Sequence, residues 1–357
     1  MQDRFHWHDA ARLIAPDGVF DASLPGAPVI PGRPPGAALA RAFGAAAQGL
    51  AFRIGAPEAP PPDPGPGMFE TLTSGSTGAP RRIRRSQASW ISSFHVNALA
   101  FGIRPGLRIG VPGDLTASLS LYGAVEGLCM GAEVHLLAGL RPDRQRAALA
   151  QARVALVWAT PAQLRALADA PGPVLPDLLQ VVTGGAALDG ATRAALSAMA
   201  PGARVTPFYG AAEASFIAWG DGALYPGVHL EVRDDTGSTL PDGQPGTIAL
   251  RSPYLFEGYA GADPGGAVWR DGWLCLDEYA RRDAGRLTLL GRAGRMVTVA
   301  DRNVWPEPIE AFLAARPGIT RAAVLARPDA RRGHVLIAVA QGDPAAGDAA
   351  LRAARRR

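Results

Sequence analysis

Lysine is absent: all 36 basic residues among the 357 are arginine. A site built from these residues has no compact ammonium to draw on, and each fixed positive charge is a planar guanidinium fork. Cysteine is scarce as well. Cys129 and Cys275 lie far apart with no Cys-x-x-Cys spacing, which argues against a disulfide framework and against a cysteine metal site. Long apolar runs are missing, since the stretch near 119–140 is interrupted by Glu126, Glu133 and His135, so no membrane span is expected. The opening residues Met1-Gln2-Asp3-Arg4-Phe5-His6-Trp7-His8-Asp9 lack the basic-then-apolar order of a secretory leader, and the cytoplasm is the expected compartment. The isoelectric point is near 9.5. The net charge is nonetheless only +4 and the arginines are scattered except at 81–85 and the last residues, so no nucleic-acid partner is expected.

What is present is enough to bury a large core. With 48% hydrophobic residues over this length, two or more packed units are expected. Residues 1–35 carry Pro25, Pro28, Pro31, Pro34 and Pro35 and are expected to be irregular. A helix follows over Ala37–Gln48, then a proline-dense connector over Pro57–Pro66, and Ser86 is placed to cap a helix over Gln87–Leu99. From Leu107 onward, short apolar runs (107–111, 133–137, 154–159, 178–183, 204–208) alternate with helical segments, the pattern of βαβ units around a parallel sheet buried on both faces. After Tyr209 the pattern changes to strands separated by Gly/Pro/Asp turns (213–219, 229–234, 247–251, 273–277, 286–290), which predicts antiparallel pairing. Past Arg292, a hairpin over 296–304, a helix over 306–315 and two further strands suit a small α+β unit. The expected fold is therefore α/β: a large domain with a parallel sheet plus an antiparallel β portion, followed by a small α+β domain.

The stretch Thr71–Arg85 contains the first chemistry. Four hydroxyl residues and two glycines stand between the apolar approach Met68-Phe69-Glu70 and four arginines, reading as strand, tight loop and strand. Glycines let backbone N–H groups turn toward an anion, hydroxyls add donors, and cations neutralise the charge. The loop matches neither Gly-x-x-x-x-Gly-Lys nor Gly-x-Gly-x-x-Gly. Taken alone it would read as a Ser/Gly-rich surface linker. A serine hydrolase is another reading of Ser74-Gly75-Ser76-Thr77-Gly78, although serine stands where the nucleophile elbow needs glycine and no histidine sits in a recognisable base motif.

The residue order Thr73-Ser74-Gly75-Ser76-Thr77-Gly78-Ala79-Pro80-Arg81 resembles the nucleotide loop of the AMP-forming adenylate enzymes, the acyl-CoA and aryl-CoA ligases, peptide-synthetase adenylation domains and luciferases. Further segments follow in the order that family requires. Thr183-Gly184-Gly185-Ala186 ends a predicted parallel strand and would pack its backbone against adenine. Tyr209-Gly210-Ala211-Ala212-Glu213 resembles Tyr-Gly-x-Thr-Glu, implying that Tyr209 stacks on adenine and Glu213 helps to hold Mg²⁺, with Ala212 in place of the usual threonine. Asp271-Gly272-Trp273-Leu274-Cys275-Leu276-Asp277 resembles Gly-Trp-x-x-Thr-Gly-Asp, with Asp277 read as the ribose-binding carboxylate and Cys275 and Leu276 replacing Thr-Gly. Gly291-Arg292 matches a Gly-Arg pair at a domain junction that touches ribose.

The resemblance spans about 68–340 and implies a division into 1–67, a shortened N-terminal segment, 68–292, an AMP-binding large domain, and 293–357, a truncated small domain. It implies Thr77, Glu213 and Arg81 as catalytic residues, Glu213 as the metal ligand, and Thr73, Ser74, Gly75, Ser76, Gly78, Gly184, Gly185, Ala186, Tyr209, Gly210, Asp277 and Arg292 as the nucleotide contacts. The implied activity uses ATP and Mg²⁺ to convert a small-molecule carboxylate into an acyl-adenylate, for transfer to the thiol of CoA or of phosphopantetheine on an acyl-carrier protein. Several positions depart from the pattern. Gly294 and Arg295 stand where acidic hinge residues are usual, and Thr298 and Asp301 where a lysine and a glycine are usual. The family's catalytic lysine lies beyond the last match, so the expectation is a chain that binds an adenylate yet forms one slowly or not at all; a degenerate nucleotide- or acyl-adenylate-binding protein is the alternative.

Overall fold

The computed structural model describes residues 3–73, 81–261, 266–300, 302–316, 318–329 and 331–354. An eight-stranded sheet forms the centre, ordered Ser215–Trp219, Arg204–Ala211, Gln180–Thr183, Leu156–Trp158, Arg108–Val111, Glu133–Leu136, Arg12–Ala15, Gly18–Phe20. Its pairs are parallel from Arg204–Ala211 through Arg12–Ala15, and each edge strand is antiparallel to its neighbour. The apolar runs are explained by burial on both faces. Leu156, Trp158 and Val182 join one core cluster, whereas Val157 and Val181 join another. Helix Ser118–Cys129 covers the first face with Leu121, Tyr122, Val125 and Leu128, while Pro142–Gln151, Pro161–Asp169 and Gly190–Met199 cover the second with Leu149, Leu164, Leu167 and Leu196. Two of the helix starts are set by local hydrogen bonds: Thr160 and Gln163 make a reciprocal capping box, and Asp189 accepts the N–H of Thr192 at 2.7 Å.

Two further sheets flank this centre. The strands around the loop, Met68–Thr73 and Arg81–Ser86, pair antiparallel, with Phe52–Ile54 and Val29–Ile30 added on one side and Gly258–Ala260 on the other. A third sheet orders His229–Arg233, Pro245–Arg251, Trp273–Asp283 and Val268–Arg270, with Arg286–Arg292 also paired to Trp273–Asp283. All pairs of this third sheet are antiparallel, as the turn-rich sequence predicts. Past Arg292, two hairpins and the helices Pro306–Ala314 and Pro344–Ala354 enclose a small apolar cluster of Leu313, Ile319, Val324 and Ala350. No helix among the described residues is long and apolar enough to cross a membrane.

Two expectations need correction. Residues 1–35 are not irregular throughout, because the short strands Arg12–Ala15, Gly18–Phe20 and Val29–Ile30 extend two of the sheets; Pro16, Pro25 and Pro28 fall between them and Pro31 just after the last. Ser86 ends a strand and its hydroxyl does not cap the helix Gln87–Phe101. The N–H of Gln87 bonds Gly67 O at 2.7 Å instead, and the Ser86 carbonyl accepts the hydroxyl of Ser89.

The proline-dense connector has no regular structure, yet one buried side chain fixes its path. The Arg53 guanidinium is fully buried and donates to the carbonyls of Gly55, Ala56, Ala59 and Pro60, and to Glu70 Oε2 at 2.6 Å. A buried carboxyl belongs to a different network, between helices Gln87–Phe101 and Ser118–Cys129. Asn97 Nδ2 donates to Glu126 Oε1 at 2.9 Å, the Tyr122 hydroxyl approaches the same oxygen at 3.1 Å, and Tyr225 donates to Asn97 Oδ1 at 2.8 Å. Burial pushes the Glu126 carboxyl up to about 8, against the opposing pull of Asn97 and Tyr122.

The folded chain therefore holds this proton at neutral pH whereas the unfolded chain has released it. The stability it contributes is complete below the ordinary carboxylate range and is lost as pH rises toward about 8. Urea unfolding from pH 5 to 8.5 should show the wild type losing on the order of 3 kcal/mol relative to Glu126→Gln. Parallel profiles for the two proteins would remove Glu126 as the source.

Candidate functional site

The carboxyl ends of the parallel strands supply the first wall of the site. Strand Gln180–Thr183 runs into Gly184, which is buried beneath the Phe208 ring; a Cβ at Gly184 would come within 2.5 Å of that ring. Gly185 follows with φ +87° and open space where a side chain would stand, and Ala186 is exposed. The turn thus offers bare, open backbone at Gly185, next to the Gly184 that packs on Phe208. The neighbouring strand Arg204–Ala211 outruns it, parallel to Gln180–Thr183 as far as Pro207 and then antiparallel to Ser215–Trp219. Its register shifts between Tyr209 and Gly210, and a Cβ at Gly210 would meet Ser215 O at 1.9 Å, so glycine is required there.

The Tyr209 hydroxyl donates to Glu278 Oε2 on strand Trp273–Asp283. Arg292, cross-strand from Glu278, places Nε 3.8 Å from Glu278 Oε1. Burial raises the Glu278 carboxyl, a shift opposed by the Tyr209 hydrogen bond and the Arg292 charge; burial and Glu278 raise the Tyr209 phenol. Glu213 lies in the turn before Ser215, not inside a strand as the sequence predicts, and its Oε1 accepts the Tyr259 hydroxyl at 2.7 Å. Tyr259 pairs with Ile83 on the strand after the loop, which ties Glu213 to the loop sheet. Thr73 and Arg81 are cross-strand partners at the base of that loop. Ser74, Gly75, Ser76, Thr77 and Gly78 lie outside the described residues.

The arginine run after the loop divides its labour. Arg82 approaches Glu70 at 3.4 Å and Arg84 approaches Asp63 at 3.3 Å, so both are engaged by the connector side of the sheet. Arg85 is buried. It donates to the carbonyls of Ala212 and Tyr254 and to Ser215 Oγ, the last at 2.8 Å, joining the loop sheet to the turn that carries Glu213. Burial pulls its guanidinium down to about 9, with Glu213 opposing, so it remains charged at neutral pH.

Asp277 is exposed and is not brought to Tyr209 or Arg292; its neighbour Glu278 is. Counted from Gly272-Trp273, the seventh position of Gly-Trp-x-x-Thr-Gly-Asp is Glu278 and the sixth is Asp277. The guanidinia of Arg233 and Arg251 lie over the Trp273 ring, at 4.8 and 4.4 Å from its centre, and help to hold the start of the strand bearing Glu278.

Residues 26–260 match the family model described as AMP-binding enzyme, about two-thirds of the chain. The chain belongs to the AMP-binding enzyme family. Among curated members, it is 31% identical over 295 residues to the uncharacterized acyl–CoA ligase YhfT of Bacillus subtilis, covering 79% of this chain and 60% of that one. It is 26% identical over 301 residues to the medium/long-chain-fatty-acid–CoA ligase FadD8 of Mycobacterium tuberculosis, covering 78% of this chain and 51% of that protein. Among solved structures, the amide bond synthetase McbA from Marinactinospora thermotolerans superposes with TM-score 0.68 at 29% identity, over 80% of this chain and 63% of McbA. This AMP-binding enzyme chain thus spans about three-fifths of the length of YhfT and McbA.

In this AMP-binding enzyme the Arg85 contacts hold the Glu213 turn against the loop sheet. Arg85→Leu removes the donor from several buried acceptors at once and should lower the unfolding free energy by about 3–5 kcal/mol. Urea denaturation followed by tryptophan fluorescence measures it, and a loss below about 1 kcal/mol would show the contacts to be replaceable by solvent.

Proposed function

We propose that this chain binds Mg·ATP and a carboxylic acid and aligns them for acyl-adenylate formation, as the AMP-binding part of a ligase that delivers the acyl group to the thiol of CoA or of a carrier-protein phosphopantetheine. The observation that carries the reading is the Tyr209–Glu278–Arg292 arrangement beside the bare Gly184-Gly185 turn. In this reading Tyr209 presents a ring to adenine, Glu278 accepts the ribose hydroxyls and Arg292 steadies that carboxylate. Thr73, Ser74, Gly75, Ser76, Thr77 and Gly78 surround the phosphates with Arg81 at their side. The nucleotide part corresponds to 68–292, preceded by 1–67 and followed by the smaller unit 293–357.

The donor set suits magnesium brought in by a nucleotide. Among the described residues no three His, Cys, Asp or Glu side chains converge to hold a metal. Glu213 supplies a single hard carboxylate with Oε1 engaged by Tyr259, and Mg²⁺ is commonly bound by one or two carboxylates plus substrate phosphates. The ion supplies charge neutralisation on the phosphates. The reaction itself needs alignment: a carboxylate oxygen attacks the α-phosphorus, a new P–O bond forms as the bond to the departing pyrophosphate breaks, and the protein holds the partners in line.

Calorimetric titration with AMP tests the reading through two variants. Glu278→Ala should weaken binding by about 1.5–3 kcal/mol, the value of hydrogen bonds to a charged acceptor, while Asp277→Ala should leave it nearly unchanged. The opposite ranking would return the ribose to Asp277, and no AMP binding by the wild type would sink the nucleotide site.

The absence of lysine from these 357 residues supports a slow chemical step. An arginine fork does not reproduce an ammonium point donor without a rebuilt site, and loss of one preorganised donor costs about 2.7–4 kcal/mol, or roughly 100- to 1,000-fold in rate. In quenched-flow experiments the 357-residue chain should bind a preformed adenylate yet form one far more slowly than the ~1–10³ s⁻¹ typical of enzymes. Turnover inside that range would show that an arginine has taken over.

A further inference from the structure

With Glu213 read as the ligand of a nucleotide-borne Mg²⁺, a reading on which this step rests, we infer that Tyr259 is its positioning residue. The Tyr259 hydroxyl holds the carboxylate so that a single oxygen, Oε2, is presented to the metal.

The groups around the Tyr259 hydroxyl decide where its proton points. The N–H groups of Gly266 and Ala267 donate to the phenolic oxygen at 3.3 and 3.2 Å. A phenol has one proton to give and two lone pairs to fill, and here both lone pairs are taken by backbone donors. The proton is therefore left for Glu213 Oε1, 2.7 Å away. Donors behind a hydroxyl polarise it and strengthen the bond it gives. The ring is fixed as well. It packs edge-on against Phe256 with centroids 5.1 Å apart, and its backbone pairs with Ile83 on the strand after the loop.

The same short segment holds Glu213 by its backbone. Phe256 N–H donates to the Glu213 carbonyl at 2.8 Å, and Glu257 N–H donates to the Arg84 carbonyl at 2.9 Å. Residue 213 is thus gripped at main chain and carboxylate from within 256–259. The buried cation nearby does not compete, because Arg85 is directed at the carbonyls of Ala212 and Tyr254 and at Ser215 Oγ. Among the described residues Glu213 has no ion-pair partner and no donor reaches Oε2. The carboxylate is half-buried, with one oxygen engaged and one open, which is the arrangement of a ligand that binds through one atom; a hard carboxylate oxygen suits magnesium. Gly266 and Ala267 lead directly into strand Val268–Arg270, which pairs with Trp273–Asp283, so the hydroxyl also ties the Glu213 carboxylate to the sheet that bears Glu278.

Calorimetric titration of the 357-residue chain with ATP, with and without Mn²⁺, tests the role, the free Mn²⁺ being followed by electron paramagnetic resonance. The quantity read is the factor by which Mn²⁺ tightens ATP binding. Tyr259→Phe keeps the ring and removes only the hydroxyl, and should reduce that factor by about tenfold, the lower end of the loss when a hydrogen-bond partner of a metal ligand is removed. A packing defect alone would weaken ATP equally with and without the metal and leave the factor unchanged, and that result would overturn the proposal. Glu213→Gln completes a double-mutant cycle. The factor in Tyr259→Phe/Glu213→Gln should be no smaller than in Glu213→Gln alone, because the hydroxyl acts through the carboxylate; additive losses would overturn the proposal as well. Failure of the underlying reading has a different signature. No ATP binding by the wild type, or a factor untouched by Glu213→Gln, removes the metal site and the role of Tyr259 with it, whereas a factor that falls in Glu213→Gln yet holds in Tyr259→Phe removes the role of Tyr259 alone.

Discussion

The candidate site depends on one buried cation. Arg85 leaves the strand after the loop and closes on the carbonyls of Ala212 and Tyr254 and on Ser215 Oγ, groups belonging to two other segments of the chain. A guanidinium suits this position because its planar fork reaches several acceptors at once and remains charged when burial pulls its pKa down to about 9. Sequence distance makes the linkage informative, since Ala212 and Tyr254 lie 127 and 169 residues from Arg85. Contacts of that span are made only once the sheets have assembled. The position of Glu213 is therefore a property of the assembled sheets rather than of its own turn.

The other carboxylate reaches the site by a different device. Strand Trp273–Asp283 changes register against Pro245–Arg251 between Cys275 and Tyr279, and against Arg286–Arg292 between Tyr279 and Ala280. Two irregularities within a few residues turn the strand where Glu278 meets Tyr209 and Arg292. Register shifts of this kind bend a strand locally and re-aim its side chains.

Much of this architecture was legible because burial on both faces leaves a simple mark. Val181 and Val182 point to opposite cores and must both be apolar, so the strand they share reads as a continuous run. The antiparallel portion was legible from its turns. The strands Arg12–Ala15, Gly18–Phe20 and Val29–Ile30 were not, because two to four residues between prolines carry no periodicity and their pairing is imposed by the finished sheets. Arginine misled in another way: in the run 81–85, position 85 reads as a phosphate cation like its neighbours, and only the three-dimensional arrangement distinguishes the buried member. The contacts of Glu278 to Tyr209 and Arg292 were not foreseen, because the sequence reading stopped at the aspartate one position earlier.

The Arg53 network sets a length constraint on the connector it organises. Four carbonyls between Gly55 and Pro60 converge on one guanidinium that is itself pinned by Glu70. Loops ordinarily tolerate insertions because their backbone groups are solvated and can be rearranged at little cost. Here an added or deleted residue would draw carbonyls away from a fully buried cation that has no water to replace them. Over these residues the proline-rich segment behaves as a fixed-length strut.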